Sequence, residues 1–564
     1  MNASISLPAI ARADFPFSAR IAEAIFKPAS QPADRPAVKP FAELLDRLLY
    51  TPQRNSKITL LIDYFRAVPD PDRGWGLAAL TGGLSFAQAK PALIRDLVAG
   101  RTDPVLFGWS YDFVGDLAET AALMWPEPEA GKPWPVLAEV VAALETTRKS
   151  ELPRLVASWL DTLDATGRWA LLKLVTGGLR VGASARLAKL ALAEYGRVES
   201  AEIEELWHGL VPPYTALFAW LDGKGPRPAA DDVPTFRPLM LAHPVEDEDV
   251  EKVVADLPSY LAEWKWDGIR VQIAATSGGV RLYSRSGDDI SNTFPDLVER
   301  VRFTGVLDGE LLVKRAGEVA SFNDLQQRLN RKAVTPRMLE DFPAFVHLYD
   351  ILFDGDADLR PLPFAERRHR LEGFLARERP ERMDLSPLVE LAGREDLERL
   401  RGGVRGTPIE GLMLKRKDSP YLAGRPKGLW WKWKRDAHLL DVVLMYAQRG
   451  HGKRSSFYSD FTFGAWREGQ AGPELVPVGK AYSGYTDAEL LQIDRWIRDH
   501  TTRRYGPVRE VTPALVLEVA FDSVHPSTRH KSGVAMRFPR IHRIRWDKPA
   551  AEADRLESLE RLIN

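Results

Sequence analysis

Apolar residues recur at every third or fourth position through the first two hundred or so residues of the chain. The pattern is plain in FAELLDRLL, SKITLLIDYF, PALIRDLV and GRWALLKLVTGGL, and few β-branched runs interrupt it. Such spacing predicts amphipathic helices that bury one face. The periodicity stops in residues 223–236, which are rich in Gly, Pro and Asp and therefore favour a linker.

From about residue 237 the pattern changes to short alternating strands with turn residues between them. GVRLYSRSG, GVLDGELLV and AFVHLYDILFDGD are examples, and helical segments such as AERRHRLEGFLARE interleave with them. This pattern predicts an α+β domain over 237–435. Residues 436–564 are again rich in strands and predict a small all-β barrel or sandwich. The chain as a whole is predicted to be multidomain, with an all-α domain over 1–222.

Composition removes several functional classes. The chain has no cysteine, which excludes disulfide scaffolds, tetracysteine zinc sites and thiol catalysis and suits a reducing cytosol. No apolar run is long enough to span a membrane, and the first seventeen residues lack a cationic leader, so neither a membrane span nor a secretory signal is predicted. The net charge is −1, with 77 basic and 78 acidic residues. Any nucleic-acid surface must therefore depend on local segregation of charge.

The most informative segment is EWKWDGIR, residues 263–270. Asp-Gly favours a tight turn, and Ile269, Val271 and Ile273 alternate as one strand face after it. Lys265 therefore ends a strand just before a turn, between two tryptophans. Amines beside aromatic surface and near other cations can become nucleophilic. The alternative is an ordinary solvated hairpin, so the interpretation depends on which residues accompany Lys265.

Other predicted strands carry polar residues on single faces. Period-two alternation places Arg281, Tyr283 and Arg285 on one face of their strand, and Asp308 and Glu310 on one face of the next. It places His347, Tyr349 and Ile351 on one face of a third strand. In the last strand Lys432 and Lys434 share a face, opposite Trp431 and Trp433. Glu410 begins another strand, before Leu412 and Leu414. No Gly-x-x-x-x-Gly-Lys-Ser/Thr loop occurs. Together these residues could supply a nucleophilic lysine, cations for phosphates, carboxylates for a metal and an aromatic platform.

The ordered set resembles the motifs of the ATP-dependent DNA ligases, within the superfamily of lysine nucleotidyltransferases. In chain order the similar segments are KWDGIR, SRSGDDI, VLDGELLV, HLYDILFDGD, EGLMLKR, WWKWKRD and MRFPRIHRIRWDK. They cover about half of the chain. The resemblance implies three domains: a helical DNA-binding domain over 1–222, an adenylation domain over 237–435 and an OB-fold over 436–564.

The resemblance also implies roles for individual residues. Lys265 would take AMP as a phosphoramidate, with Glu263 contacting the adenine and Tyr349 stacking on it. Arg270 and Arg285 would face the ribose or phosphates, and Lys432 and Lys434 the α-phosphate. Glu310 and Glu410 would serve Mg²⁺. The terminal motif would act on the pyrophosphate of ATP and includes Arg537, Arg540, Arg545, Asp547 and Lys548. One position departs from the family, because Pro426 stands where an arginine is common; we expect Arg425 to replace it.

Local charge favours a nucleic-acid partner. Residues 167–190 carry five basic side chains and no acid, and the run from Arg529 to Lys548 carries seven against one. Basic residues among small ones let a backbone approach phosphates closely. TGGLRVGASARL also resembles a segment of the helical DNA-binding domain of the family, which implies phosphate contacts for Lys173, Arg180 and Arg186. The expected partner is nicked duplex DNA.

Three other classes of protein share part of this pattern. RNA ligases and GTP-using capping enzymes lack the helical domain, and NAD-dependent ligases carry a tetracysteine zinc module that this chain cannot form. A non-catalytic DNA clamp would be expected to lose the nucleophile or the carboxylates, whereas Lys265, Glu310 and Glu410 are all present. The expected protein is monomeric, has no obligate protein partner, and is cytoplasmic and associated with the nucleoid of a prokaryote. The patterns do not decide between repair and replication.

Overall fold

The computed structural model describes residues 38–563, except 87, 129–131, 178, 230–231, 330, 332–333, 404–406, 451–455, 470–471 and 529. The expectation about a leader concerns residues outside this part of the chain, and so does Arg529 of the basic run. Among the described residues, none of the helices is both long and apolar enough to cross a membrane.

Residues 38–221 fold as short α-helices around one apolar core. Side-chain caps fix several helix starts: the carboxylate of Asp164 accepts from the backbone N–H of Gly167, and the hydroxyl of Ser184 accepts from that of Leu187. The predicted helical texture is confirmed. The helices are Lys39–Tyr50, Arg54–Ala67, Asp72–Leu80, Pro91–Ala99, Pro104–Val114, Leu117–Met124, Leu137–Thr146, Leu152–Leu160, Ala165–Thr176, Ala185–Gly196, Ser200–Leu206 and Thr215–Leu221.

The central region contains two β-sheets. Its strands are β1 (His243–Pro244), β2 (Tyr260–Trp266), β3 (Ile269–Thr276), β4 (Gly279–Ser284), β5 (Gly305–Arg315), β6 (Glu318–Val319), β7 (Ala344–Asp354), β8 (Ala357–Asp358), β9 (Met383–Leu385), β10 (Leu388–Val389), β11 (Ile409–Arg416) and β12 (Trp430–Lys434). The first sheet has the order β1-β12-β11-β2-β10. The second has the order β4-β3-β5-β7-β8, with β6 beside β5 and β9 beside β7.

Helices pack against both sheets and contribute to their cores, and a cleft lies between the sheets. The helices are Val250–Ala255, Pro295–Val298, Phe322–Gln326, Pro336–Asp341, Phe364–Glu378 and Arg394–Gly403. Trp431 and Trp433 pack with Leu412 and Leu414 in one core, as the alternation predicts. Because β2 belongs to the first sheet and β3 to the second, the turn at Asp267 and Gly268 joins the two sheets at the cleft.

One predicted face is wrong. His347, Tyr349 and Ile351 do not share a side of β7, because Ile351 packs in the core with Val346 and Leu348. The pairing of β7 with β5 shifts register on both sides of Asp350, which marks β-bulges there. A bulge inserts an extra residue and reverses the alternation beyond it. Tyr349 therefore faces the cleft, while Ile351 faces the core.

The C-terminal region is rich in strands, as predicted. It contains β13 (His438–Arg449), β14 (Tyr458–Gly469), β15 (Gly472–Ala481), the helix Asp487–Asp499, β16 (Thr501–Tyr505), β17 (Val508–Val511), β18 (Val516–Phe521), β19 (Ser523–Pro526), β20 (Val534–Arg537), β21 (Arg540–Arg545) and the helix Leu556–Glu560. β13 pairs with β14 on one edge. Its other edge pairs with β18 along the first half and with β17 near the end, while β15 extends from β14 and β21 from β18.

The central region contacts both of its neighbours. On the N-terminal side the ring of His208 lies 4.3 Å from that of Tyr283, and Arg360 forms an ion pair with Glu205. On the C-terminal side Arg537 forms an ion pair of 2.5 Å with Asp267.

The His208 contact should make the stability of the protein depend on pH. Burial lowers the pKa of His208 to about 4, with a further contribution from Lys189, and its Nε2 has no hydrogen-bond partner among the described residues. In an unfolded chain a histidine titrates near 6.5. Between these pH values the unfolded state binds more protons than the folded state. The free energy of unfolding is therefore highest above about pH 6.5 and decreases as the pH falls toward 4, by up to about 3 kcal/mol.

Thermal unfolding followed from pH 7.5 to pH 5 measures this effect. H208Q should lose part of the pH dependence, whereas H369Q, which changes an exposed histidine, should retain all of it. Identical pH profiles for H208Q and the unchanged protein would contradict the assignment.

Candidate active site

A cavity of about 380 Å³ lies in the cleft between the two sheets of the central region. Strands β2, β11 and β12 line it from the first sheet, and β3, β5 and β7 from the second. The structure brings nine of the predicted residues to its wall: Glu263, Lys265, Arg270, Arg285, Glu310, Tyr349, Glu410, Lys432 and Lys434. Arg285 reaches it from the turn after β4, which ends at Ser284.

Lys265 is the second-to-last residue of β2 and pairs in register with Gly411 of β11. Gly411 has a φ of 144°, and a Cβ there would lie 2.1 Å from the carbonyl oxygen of Trp433, so only glycine fits. The register shift between Ile409 and Gly411 turns Glu410 toward the cavity. As a result the Lys265 amine donates to Glu410 Oε2.

Glu410 is held between two amines, because Lys434 Nζ lies 3.3 Å from the oxygen that Lys265 contacts. Burial alone would raise the pKa of Glu410, but the charges of Lys265 and Lys434 outweigh it and hold that pKa at about 2. The carboxylate is therefore ionised at neutral pH and fixes the position of the Lys265 amine.

Glu310 of β5 lines the same cavity as Lys265 and Glu410. Burial raises the pKa of Glu310 to about 7, and the charges of Glu410 and Asp267 add to this, although Lys265 and Arg270 oppose it. Burial also raises the pKa of Asp267, with Glu410 again contributing. Carboxylates that raise one another's pKa in this way favour a cation between them.

The inner end of the cavity is built around Glu263, which is 2% exposed. Its carboxylate accepts from Arg368 at 2.8 Å and pairs with Lys415 Nζ at 2.6 Å. Lys415 Nζ also lies 4.1 Å from the centre of the Tyr349 ring. Sequence reasoning missed both Lys415 and Arg368. The alternation of Met413 and Lys415 in EGLMLKR could have found the lysine, whereas Arg368 comes from a helix distant in sequence.

Arg270 lines the cavity, but protein groups hold its terminal nitrogens. It donates to the carbonyl of Met240 at 2.6 Å, to Asp308 at 2.6 Å and to the hydroxyl of Tyr421 at 3.0 Å. Its Nε has no partner among the described residues. This arrangement makes Arg270 a fixed part of the wall.

Cations gather at the outer end of the cavity. Burial lowers the pKa of Lys432, and the charges of Arg425, Lys434, Lys265 and Arg285 lower it further. Arg425 does not line the cavity, but its charge acts on Lys432 and its backbone carbonyl contacts His243 at 3.2 Å. A cluster of cations at a cavity mouth suits a polyphosphate.

The structure separates the residues of the last motif. Arg537 contacts Asp267 beside the cavity and lies over the ring of Phe322 at 3.9 Å. The others form ion pairs within the C-terminal region: Arg545 and Lys548 pair with Asp441 at 3.2 and 2.8 Å, Arg540 with Asp522 at 3.6 Å, and Asp547 with Arg545 at 2.9 Å.

The predicted cations of the helical region also divide. Lys173, for which a phosphate contact was predicted, is buried and forms an ion pair with Asp116 in this structure. The reason is that this helix is buried on all sides over residues 170–175. Arg180 and Arg186 are exposed. The loop between them is held by Lys57, whose amine donates to the carbonyl of Gly182 at 2.6 Å.

The fold and site define a class of enzyme. An amine fixed by a carboxylate, with further carboxylates on one side and cations on the other, has the groups that covalent nucleotidyl transfer requires. Comparison with known sequences identifies the family. Residues 239–434 match the family model described as ATP dependent DNA ligase domain, and residues 454–548 match the one described as ATP dependent DNA ligase C terminal region.

Individual relatives agree with this result. A probable DNA ligase of Koribacter versatilis is 36% identical over 72% of this chain and 74% of the relative. A probable DNA ligase of Anaeromyxobacter dehalogenans strain 2CP-1 is 32% identical over 92% of this chain and 98% of the relative. The solved structure named Pmar-Lig_PreS3 is similar in fold, with a TM-score of 0.56, 16% identity, and coverage of 90% of this chain and 99% of that one.

The chain belongs to the ATP-dependent DNA ligases. It is accordingly an enzyme that uses ATP to seal nicks in DNA.

Proposed function

We propose that Lys265 is the residue that carries AMP during nick sealing. Its Nζ would attack the α-phosphorus of ATP, forming a P–N bond as the bond to pyrophosphate breaks. The 5′-phosphate of the nick would then take the AMP from Lys265. Attack by the 3′-hydroxyl would form the phosphodiester and release AMP. The observation that carries this proposal is the contact of Lys265 with Glu410 at the wall of a cavity whose outer end is cationic.

The inner end of the cavity suits a purine base. Glu263 offers a buried carboxylate that can accept from an amino group, and Arg368 and Lys415 keep it in place. Tyr349 and Trp430 supply aromatic surface beside it. We assign Glu263 to contact with adenine and Tyr349 to stacking.

The cations would bind the phosphates. Lys432 and Lys434 project into the cavity from β12 and suit the α-phosphate, with Arg285 beside them. Arg425 would act on the same phosphates from just outside the cavity. It would replace the arginine that the family commonly has at the position of Pro426. Because Arg270 is held by protein groups, its role would be to position the wall and offer its Nε to the ligand.

Glu310 and Glu410 are the candidate ligands for Mg²⁺. The described residues include no cluster of three or more His, Asp or Glu arranged to hold an ion by themselves. That is compatible with magnesium, which is commonly bound by one or two carboxylates, substrate phosphates and water. The mutual effects on pKa at Glu310, Asp267 and Glu410 also fit a site that accepts a cation. The bound ion would offset charge on the phosphates during transfer.

We further propose the division of the chain into a DNA-binding domain over 1–222, a linker over 223–236, an adenylation domain over 237–435 and an OB-fold over 436–564. The strand pairing supports the last assignment. β13, β14, β15, β18 and β21 form a connected set in which a helix separates the third and fourth strands, as expected for a small five-stranded barrel.

In this conformation Arg537 is the residue of the last motif beside the cavity, so we assign to it the contact with pyrophosphate that the resemblance implied for the motif as a whole. Arg545 and Lys548 would reach a nucleotide only after leaving Asp441, and Arg540 and Asp547 would act with them. We also propose that the protein is a monomer that binds nicked duplex DNA. Its proposed location is the cytoplasm, in association with the nucleoid.

The assignment of Lys265 predicts the outcome of its replacement. K265A should lose covalent labelling by α-labelled ATP and sealing of unadenylated nicks, because the substitution removes the amine that would form the P–N bond. K427A changes an exposed lysine and should label normally. Gel detection of the protein–AMP adduct measures both, and an adduct on K265A would refute the assignment.

Glu310 and Glu410 should affect the rate of adenylation because they bind Mg²⁺. E310Q and E410Q should each slow adenylation about a hundredfold, the usual cost of losing one electrostatic stabiliser of a transition state. The rate of E310Q should saturate at a higher Mg²⁺ concentration than that of the unchanged enzyme. E366Q on an exposed helix position is the control. Full activity in EDTA would exclude the metal role.

The exposed arginines of the helical region should contribute phosphate contacts. R180A/R186A should weaken binding to nicked duplex and lower the dependence of log Kd on log salt by about two. Labelling of Lys265 by ATP should not change. R148A/K149A removes two exposed charges elsewhere in the same region and should bind normally. An unaltered salt dependence in R180A/R186A would remove these residues from the interface.

A further inference from the structure

The ring of His347 stacks on the residue that follows Lys265 in the chain. His347 lies on β7, pairs in register with Glu310 of the cavity wall, and is 5% exposed. Its ring centre is 4.6 Å from that of Trp266, and the two planes meet at 26°. Trp266 is the last residue of β2 and lines the cavity. No step of the chemistry proposed for Lys265 uses either ring.

His347 is itself fixed by a carboxylate. Its Nδ1–H donates to Asp384, and Lys314 Nζ lies 3.1 Å from the other oxygen of the same carboxylate. Burial would raise the pKa of Asp384, but the contacts with His347 and Lys314 lower that pKa below its usual value. The carboxylate is therefore ionised at neutral pH, and it keeps the imidazole in its place against Trp266.

Asp384 belongs to a short segment that joins the two sheets. In residues 383–389, which we call the bridging segment, β9 pairs with β7 of the second sheet and β10 pairs with β2 of the first. Between these two strands the hydroxyl of Ser386 accepts from Nε1 of Trp266 at 3.1 Å. Ser386 is 1% exposed, so its position is fixed by packing. The bridging segment thus holds the indole twice, through its N–H and, by way of His347, through its ring.

The direction of the Lys265 side chain depends on the backbone at the end of β2. Glu410 fixes the amine, but Glu410 is also a candidate ligand for Mg²⁺ and would share its carboxylate with the ion in a loaded site. A second constraint on Lys265 is then required. Stacked rings have a preferred geometry, so the contact of Trp266 restrains the backbone that carries the amine. A displacement of about 1 Å can slow a reaction about a hundredfold.

We propose that Trp266 and His347 are positioning residues, which hold the backbone of Lys265 in the direction needed for attack on ATP. Asp384 and Ser386 orient the two rings, so the bridging segment sets the direction of the nucleophile. This inference rests on the role proposed for Lys265. Loss of labelling in K265A tests that role separately, and full adenylation by variants of the stack would contradict this inference alone.

Single-turnover adenylation over a range of ATP concentrations tests the stack. W266L and H347L should each lower the rate at saturating ATP about tenfold, because the amine is no longer held in line. The ATP concentration at half-maximal rate should change by less than about twofold, since the cations for the phosphates are unchanged. W266F keeps a ring and should retain most of the rate. H347F keeps the ring but loses the bond to Asp384, and should fall between H347L and the unchanged enzyme.

Sealing of pre-adenylated nicks provides an internal measure of folding. The amine of Lys265 forms no bond in that step, so W266L and H347L should seal these nicks within about twofold of the unchanged rate. W109L and H369L are the matched controls, because they change an exposed tryptophan and an exposed histidine that do not line the cavity. Both steps should be unchanged in these two variants.

Four results would overturn the proposal. Unchanged adenylation in W266L and H347L would show that the stack does not position Lys265. An equal loss in adenylation and in sealing would assign the rings to the stability of the domain. A higher half-saturating ATP concentration at an unchanged maximal rate would assign Trp266 to the binding of ATP. A loss in W266F as large as in W266L would assign the effect to the hydrogen bond with Ser386 in place of the stack.

Discussion

The contact between Lys265 and Glu410 is the interaction on which the arrangement of the site depends. Gly411, the neighbour of Glu410, pairs in register with Lys265, and its φ of 144° and the nearby carbonyl of Trp433 leave no room for a side chain. The bulge at the same point turns Glu410 inward. With Lys434 on its other side, Glu410 stays charged and keeps the amine of Lys265 at the cavity wall. A local backbone feature thus sets the position of the proposed nucleophile.

Buried ion pairs surround this contact and fix the rest of the wall. Glu263 lies between Arg368 and Lys415, Arg270 is held by Asp308, and Arg367 pairs with Asp350 where both side chains are fully buried. Removing one member of such a pair commonly costs about 3–5 kcal/mol, because the other charge stays buried without compensation. The pairs join helix Phe364–Glu378 to both sheets. They therefore make the shape of the cavity specific, whatever their net contribution to stability.

Charge is distributed according to the task of each surface. The overall charge of −1 hides a cavity whose outer end is cationic and a helical region with exposed arginines. Lys173 shows the limit of reading charge from sequence, because its basic stretch looks continuous while its own side chain is buried against Asp116. Lys173 belongs to a helix that is buried over residues 170–175, whereas Arg180 lies in the loop after that helix and Arg186 at the start of the next one, and both arginines are exposed.

The sequence by itself determined the helical and strand-rich texture, the turn after Lys265 and the faces of β5 and β12, because these follow from periodicity within single elements. It also indicated the family, since the motifs stand in order along the chain. Only the tertiary structure decided which charges meet. Arg368 and Lys415 join Glu263 from elements far apart in sequence, and the bulges beside Asp350 and Gly411 reverse the alternation that sequence reasoning assumes. Register and long-range pairing depend on the packing of whole sheets, which no local pattern contains.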